Sequence, residues 1–359
     1  MKNLFLTVLT AVAIVTPAAS QTTQKLTASK INEYGLIYTL PVTVADVTVE
    51  AEKTVKTPGE FFRYAKKYLN IDPITEPSQQ WVVKSVTVNA RGVADEKEQY
   101  LVQFKSGSAP FMVLNDENFP LTVNTDNLPA ASELKLPVAQ AAQPTILQQP
   151  VAAQAVTEEM LQSQSSAKRA ELAAAKIYEL RQSRNEIISG QADQMPSDGK
   201  AMQLALDNLA QQEAALTAMF VGTVQTSTDV RTFTVEMPEG ETSHMVVGRL
   251  SVLNGIVDAS DLSGDPIYLD IKVTARGQLP KNEKGEVKKF PKGGLAYRIP
   301  GEADVTVTFG NDQLFNGHFD VAQYGVVFGL EPNLFTDKKS PAYVVFDGAT
   351  GAIRELGSK

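Results

Sequence analysis

The chain has no cysteine, one tryptophan and two histidines among its 359 residues. Without a thiol there is no disulfide, no thiolate metal ligand, no cysteine nucleophile and no lipid-modified cysteine behind a leader, so the chain is not a lipoprotein and its stability must come from packed core. With only His244 and His318 available, a Ser-His-Asp triad or a histidine-built metal site would have to use one of them. Neither has a carboxylate or second histidine at ligand spacing along the sequence. The nucleophile-elbow pattern G-x-S-x-G is missing, since Leu262-Ser263-Gly264 lacks the first glycine. Pro291-Lys292-Gly293-Gly294-Leu295 lacks the spacing and following helix of a phosphate-binding loop. Asp258-Ala259-Ser260-Asp261-Leu262-Ser263-Gly264-Asp265 gathers oxygen ligands without the alternating acids and terminal Glu of a calcium loop, and reads as a polar turn, as does Asn115 to Asn118. No catalytic residue, cofactor or metal is expected, and the chain reads as a non-enzyme. One reaction class survives: a glycosidase needs only two carboxylates across a cleft, and the chain has 41 acids. Its usual aromatic sugar platforms are scarce, with Trp81 the single tryptophan.

Excess positive charge is also lacking. The formal net charge is -8, and removing a leader that contains Lys2 makes it one unit more negative, which argues against nucleic acid and anionic lipid as partners. No block of like charge occurs. The nearest, Lys281 to Lys292 with five lysines and two glutamates, reads as a solvated hairpin tip. Long hydrophobic runs are confined to the start, where Lys2, the apolar stretch Leu4 to Val15 and the small residues Ala18 and Ser20 make residues 1–20 read as a cleaved signal peptide. That stretch is shorter than the about 20 apolar residues a membrane crossing needs. The mature chain is therefore expected to be exported, with no transmembrane segment.

Period-two alternation in Val47-Thr48-Val49-Glu50-Ala51-Glu52 and Val82-Val83-Lys84-Ser85-Val86-Thr87-Val88 predicts strands with one face in a core and one in water. Between them Pro58-Gly59 opens a short amphipathic helix near 59–69, with Phe61, Tyr64 and Tyr68 at helical spacing. This gives an N-terminal β-rich domain over 21–124. Residues 125–156, with Pro129, Pro137, Pro144 and Pro150 among Ala and Gln, form a linker or strap. Residues 157–222 are Ala-rich and predict an antiparallel helical hairpin with a stop at Gly190 and an end at Gly222. Its seam runs through Ala173, Ile177, Leu180, Arg184 and Ile187, then Met202, Leu206, Leu209, Glu213, Leu216 and Phe220. Counting back from a turn near Asp193 sets Arg184 opposite Gln203 and Glu213 opposite Ala174, so the two charges do not meet, and Glu213 must look to Lys176, Arg169 or a β domain. Residues 223–359 resume a strand pattern as a C-terminal β domain, closing on a hairpin that turns at Gly348 and Gly351.

An internal echo links the two β regions. Gly35-Leu36-Ile37-Tyr38-Thr39-Leu40-Pro41 and Ala45-Asp46-Val47-Thr48-Val49 return as Gly294-Leu295-Ala296-Tyr297-Arg298-Ile299-Pro300 and Ala303-Asp304-Val305-Thr306-Val307. A second echo, Val88 to Gly92 with Val273 to Gly277, comes in swapped order. Either one echo is strand composition or the units are permuted relatives.

Gly35 to Pro41, Pro58 to Ala65, Arg181 to Gly190, Glu213 to Gly222 and Gly294 to Pro300 together resemble the domain of unknown function 4831 family of secreted Bacteroidetes proteins. The resemblance covers nearly the whole mature chain and implies a Gram-negative envelope setting, in the periplasm or at the periphery of the outer membrane. It implies no activity.

The expected fold is α+β: two β-rich, sandwich-like units, the short helix and the central helical hairpin. The expected function is binding or assembly through contact with an envelope protein, with a carbohydrate-binding or glycan-processing protein using an acidic cleft as the alternative. The candidate binding residues are Tyr38 and Tyr297 with its neighbour Arg298, at strand ends before a proline where an edge is expected to accept a partner strand, and Arg181, Arg184 and Glu213, charges in a helical seam that need partners.

Overall fold

The computed structural model describes residues 21–26, 35–104, 111–128, 135–197, 199–335 and 341–358. The expected signal segment and Pro129 lie outside them. Strand makes up 47% and helix 24%, and every sheet is antiparallel, which places the chain in a mixed class with strand dominant.

The first sheet contains β1 (Gln21–Lys25), β2 (Leu36–Thr57), β3 (Ser78–Phe104) and β6 (Thr223–Glu236) in the order β1-β3-β2-β6. Between β2 and β3 lies α1 (Ala65–Leu69), stopped where Asn70 takes a left-handed conformation. A second sheet holds β7 (Thr242–Ser251), β8 (Gly255–Asp258), β9 (Gly264–Ala275), β10 (Leu295–Phe309) and β11 (Asp312–Leu330) in the order β11-β10-β9-β7-β8. The third joins β4 (Met112–Leu114) and β5 (Pro120–Val123) to β12 (Ala342–Phe346) and β13 (Ile353–Ser358), in the order β13-β12-β5-β4. Strands from both halves of the sequence therefore share sheets: β6 pairs with β2 across the helical section, and β5 pairs with β12.

The first two sheets face each other over one core. Ala45, Val47 and Val49 of β2 and Ala303, Val305 and Val307 of β10 are all fully buried in it, with Tyr324 of β11. The alternation that put these residues on one face of each strand thus supplies the two sides of a single interior. The opposite face of β2 is not all in water: Thr48 is buried and shares a hydrogen bond with the Thr232 hydroxyl at 2.8 Å.

The first echo is architectural. In β2 only Leu40 stands between the paired residues Thr39 and Pro41, opposite β3 residues 95–98, which pair with nothing on β2. In β10 only Pro300 stands between Ile299 and Gly301, opposite β11 residues 322–325. Both strands carry a one-residue irregularity opposite four unpaired residues, just before the proline in β2 and at the proline in β10, a residue with no N–H to give a ladder. Each is also an inner strand between its hairpin partner and one other, β3 and β6 for β2, β11 and β9 for β10. The second echo falls on non-equivalent strands, β3 and β9, and is strand composition.

The helices pack in a cluster of their own, around Phe61, Ile177, Leu216 and Phe220. The helices α2 (Pro150–Ala155), α3 (Glu158–Gln162), α4 (Ser166–Ser189) and α5 (Gly199–Val221) follow one another. Ser165 caps α4 through the Lys168 N–H, and Gly190 ends it at φ 72°. Arg169 lies over the Phe61 ring, which packs on Phe220, so the start of α4 is beside the end of α5. Burial stops halfway: from 181 to 214 no described residue is buried. The Pro/Gln segment before α2 runs along the free edge of β6, where Gln140 and Thr228 exchange backbone hydrogen bonds at 3.0 and 2.9 Å. That covers an edge otherwise open to strand addition.

Candidate functional site

A cleft of about 550 Å³ opens between the first two sheets, where the irregularity in β3 meets β10 and β11. Its floor is stitched across both sheets. Gln323 accepts from the Thr43 N–H at 2.9 Å and donates to the carbonyls of Thr43 and Met237 at 2.8 and 2.9 Å. The Thr43 hydroxyl donates to the Ala349 carbonyl at 3.1 Å and accepts from the Ala322 N–H at 2.9 Å. Asp95, first of the unpaired β3 residues, accepts from the Lys97 N–H with one oxygen and from Arg298 Nη2 with the other, at 3.0 and 2.6 Å. The Arg298 side chain is only 7% exposed, and its Nε is buried without a hydrogen-bond partner. The walls carry Glu96, Glu98, Glu236 and Glu239, with Lys97, Val42, Val44, Val93 and Met237. Glu98 is occupied by Lys25 at 2.6 Å and by the Tyr100 hydroxyl. Burial, then the Glu98 contact, raises the pKa of that hydroxyl. No aromatic side chain is among the lining residues.

Of the residues expected at a binding site, Arg298 alone lines this cleft. Tyr38 is fully buried. Its hydroxyl accepts from the Ala296 N–H at 2.8 Å and donates to the Ala296 carbonyl at 3.1 Å, and burial raises its pKa. Two places along, the Arg298 N–H donates to Gly351 at 3.1 Å. The side of β10 that an incoming strand would need at 296–298 is thus filled by Tyr38 and the β12–β13 turn, which corrects the expectation of an open edge there. Tyr297 is half-buried, edge-on to Phe328 at 6.4 Å, and desolvation raises its pKa.

Arg181, Arg184 and Glu213 come together, contrary to the expectation that Arg184 and Glu213 sit at different levels. Glu213 Oε1 takes Arg181 Nε and Oε2 takes Arg184 Nη1, both at 2.6 Å. Counting residues from the turn places Cα atoms only. Side chains lean toward the N-terminus of their own helix, so on oppositely directed helices Arg184 and Glu213 lean toward each other. The alternative partners are engaged elsewhere, Lys176 with Glu179 and Arg169 with Glu60, each at 2.6 Å. The triad borders a shallow groove on α5 lined by Ala210, Ala214, Thr217 and Ala218.

Cross-strand neighbours supply what linear spacing hid for the histidines. His318 Nδ1 lies 2.8 Å from Asp304 and Nε2 lies 3.4 Å from Glu302. The Asp304 hydrogen bond, then the charges of Asp304 and Glu302, raise its pKa at an exposed position. His244, at φ 57°, donates its backbone N–H to Asp270 at 2.7 Å. Among the described residues no group of three or more acids and histidines is placed to hold a metal. In the Asp258 to Asp265 loop the Ala259 and Gly264 carbonyls are taken by Arg249, at 2.8 and 3.1 Å. No described helix is long and apolar enough to cross a membrane.

Asp95, Gln323 and Thr43 were absent from the sequence expectations. The one signal for them was the charged run Asp95-Glu96-Lys97-Glu98 inside an otherwise alternating strand. A family model described as "Domain of unknown function (DUF4831)" matches residues 34–354. No curated protein and no solved structure matches the chain.

Proposed function

The chain belongs to the DUF4831 family, and we propose, from its sequence and its geometry together, that it is a non-enzymatic binding or assembly module of the cell envelope, exported and making protein–protein contacts. The observation that carries this reading is the outer half of the helical pair. Between Leu180 and Ala215 the seam residues Ile187, Met202, Leu206 and Leu209 stay partly exposed, and Ile188 and Leu204 are 66% and 72% exposed. Two helices alone cannot enclose a seam of this length, and apolar exposure of this kind suits a protein partner. A cross-linked pull-down from envelope membranes tests it: recovery of a defined protein supports the reading. No partner, together with specific binding on a glycan array, contradicts it.

The carbohydrate alternative is favoured by one feature, the carboxylates of Asp95, Glu96, Glu98, Glu236 and Glu239 around one cleft. The absence of aromatic lining weighs against it.

A further inference from the structure

The cleft between the sheets is a separate feature from the helical pair, and its chemistry is incomplete. Arg298 is nine-tenths buried, uses Nη2 on Asp95, and leaves Nε without an acceptor. A guanidinium carries five donors in a fixed fork, and a buried donor left empty is a penalty the fold bears unless something completes it. Above this floor Glu96, Glu236 and Glu239 are exposed, and none forms an ion pair with a described residue. Lys97 in the lining and Arg276, whose Nη2 donates to the Glu239 backbone carbonyl at 3.1 Å, offset two of these three charges. Val42, Val44, Val93 and Met237 add apolar wall.

These features select a ligand class by exclusion. An anion would complete the Arg298 fork but meet three unpaired carboxylates, since Asp95 already balances Arg298. A sugar would find no ring to stack on. A basic side chain has an aliphatic stem for the apolar wall and a cationic head for the acids, and the peptide that bears it offers carbonyl oxygens as acceptors.

We propose that this cleft binds a lysine- or arginine-bearing peptide segment, with a backbone carbonyl completing the guanidinium of Arg298 and the cationic side chain held between Glu96, Glu236 and Glu239. The irregularity that β3 shares with β11 then has a use on one side only: residues 322–325 fill the interior and brace the floor, whereas residues 95–98 open the site. This shares with the proposed function only the premise of protein contact. The helical pair and the cleft lie on different elements, so either reading can fail alone.

The test uses the full mature chain and a labelled, capped octapeptide alternating lysine and alanine, with a glutamate–alanine octapeptide and a chitin tetrasaccharide as comparators. Fluorescence anisotropy at low salt reads affinity, and the NMR signal of the Arg298 Nε–H reads the floor. The expected result is binding of the lysine peptide alone, a shift of the Nε–H signal on its addition, and at least a tenfold loss of affinity in the combined Glu96→Gln, Glu236→Gln, Glu239→Gln variant. Those three positions are exposed, so that variant keeps its fold, and its far-UV circular dichroism checks this. Equal binding by wild type and the triple variant, an Nε–H signal that does not move, or a shift caused by the tetrasaccharide instead would overturn the proposal.

Discussion

Where β2 and β10 face each other the apolar pattern is sealed from water, while in the helical pair it runs out of cover halfway. Ala45, Val47 and Val49 meet Ala303, Val305 and Val307 with no exposed surface on either side. Along α5, Leu216 and Phe220 are equally sealed, yet Leu209, Leu206 and Met202 are partly exposed and Leu204 is open. The difference follows from geometry. A sheet offers a broad face that a second sheet covers in one step, whereas a helix needs neighbours around its stripe, and only the inner half of the pair receives them from α1, α2, α3 and Phe61. Apolar pattern without cover is stability left unclaimed by the fold and open to a partner.

The same substitution at two points of one helix gives the largest predicted effect. Leu216→Ala should lose about 2–5 kcal/mol in urea unfolding, while Leu204→Ala should stay within about 0.5 kcal/mol. Similar losses would erase the boundary drawn between inner and outer halves. The two echoing tyrosines come next. Tyr38→Phe strips both backbone groups of Ala296 of their buried partner and should lose about 1–3 kcal/mol. Tyr297→Phe breaks no hydrogen bond seen at that hydroxyl and should stay within about 0.5 kcal/mol. At the junction of the two halves, Glu213→Gln should lose about 1 kcal/mol, because Arg181 and Arg184 are 40% and 34% exposed and water screens them. The smallest effect is that of His318. Its pKa is raised from the usual 6.5 by Asp304 first and Glu302 after, so its stabilising contribution is full below pH 6.5 and fades as pH climbs through the raised value. An NMR titration should find the ring protonated above the ordinary range, and Asp304→Asn should bring it down.

Strand alternation was legible wherever side chains met a core, as at Val47 and Val305, because a period of two is a local property. The turn at Gly348 and Gly351 was legible for the same reason: Asp347 and Gly351 close it, with Gly351 at φ 72°. What joins distant strands was not. Nothing local to Tyr38 says that its hydroxyl ends on Ala296, and nothing near Asp95 says that Arg298 lies across the cleft. Glu213 shows the limit within a single motif: its level along the helix was countable, but the lean of its side chain decided its partners. The echo stood between these cases. Its residues announced a relation between β2 and β10, and only the pairing register showed that the relation lies in matching irregularities of two sheets sharing one core.

The proposed partner covers the outer half of the helical pair. A photo-reactive residue at Leu204, 72% exposed on α5, compared with one at Leu262, 81% exposed on the β8–β9 loop, asks this directly in intact cells. Both positions are open leucines, so exposure alone predicts the same result at each. A protein adduct of defined mass at 204 and none at 262 is the predicted outcome; no adduct at 204, or the same adduct at both, would contradict it.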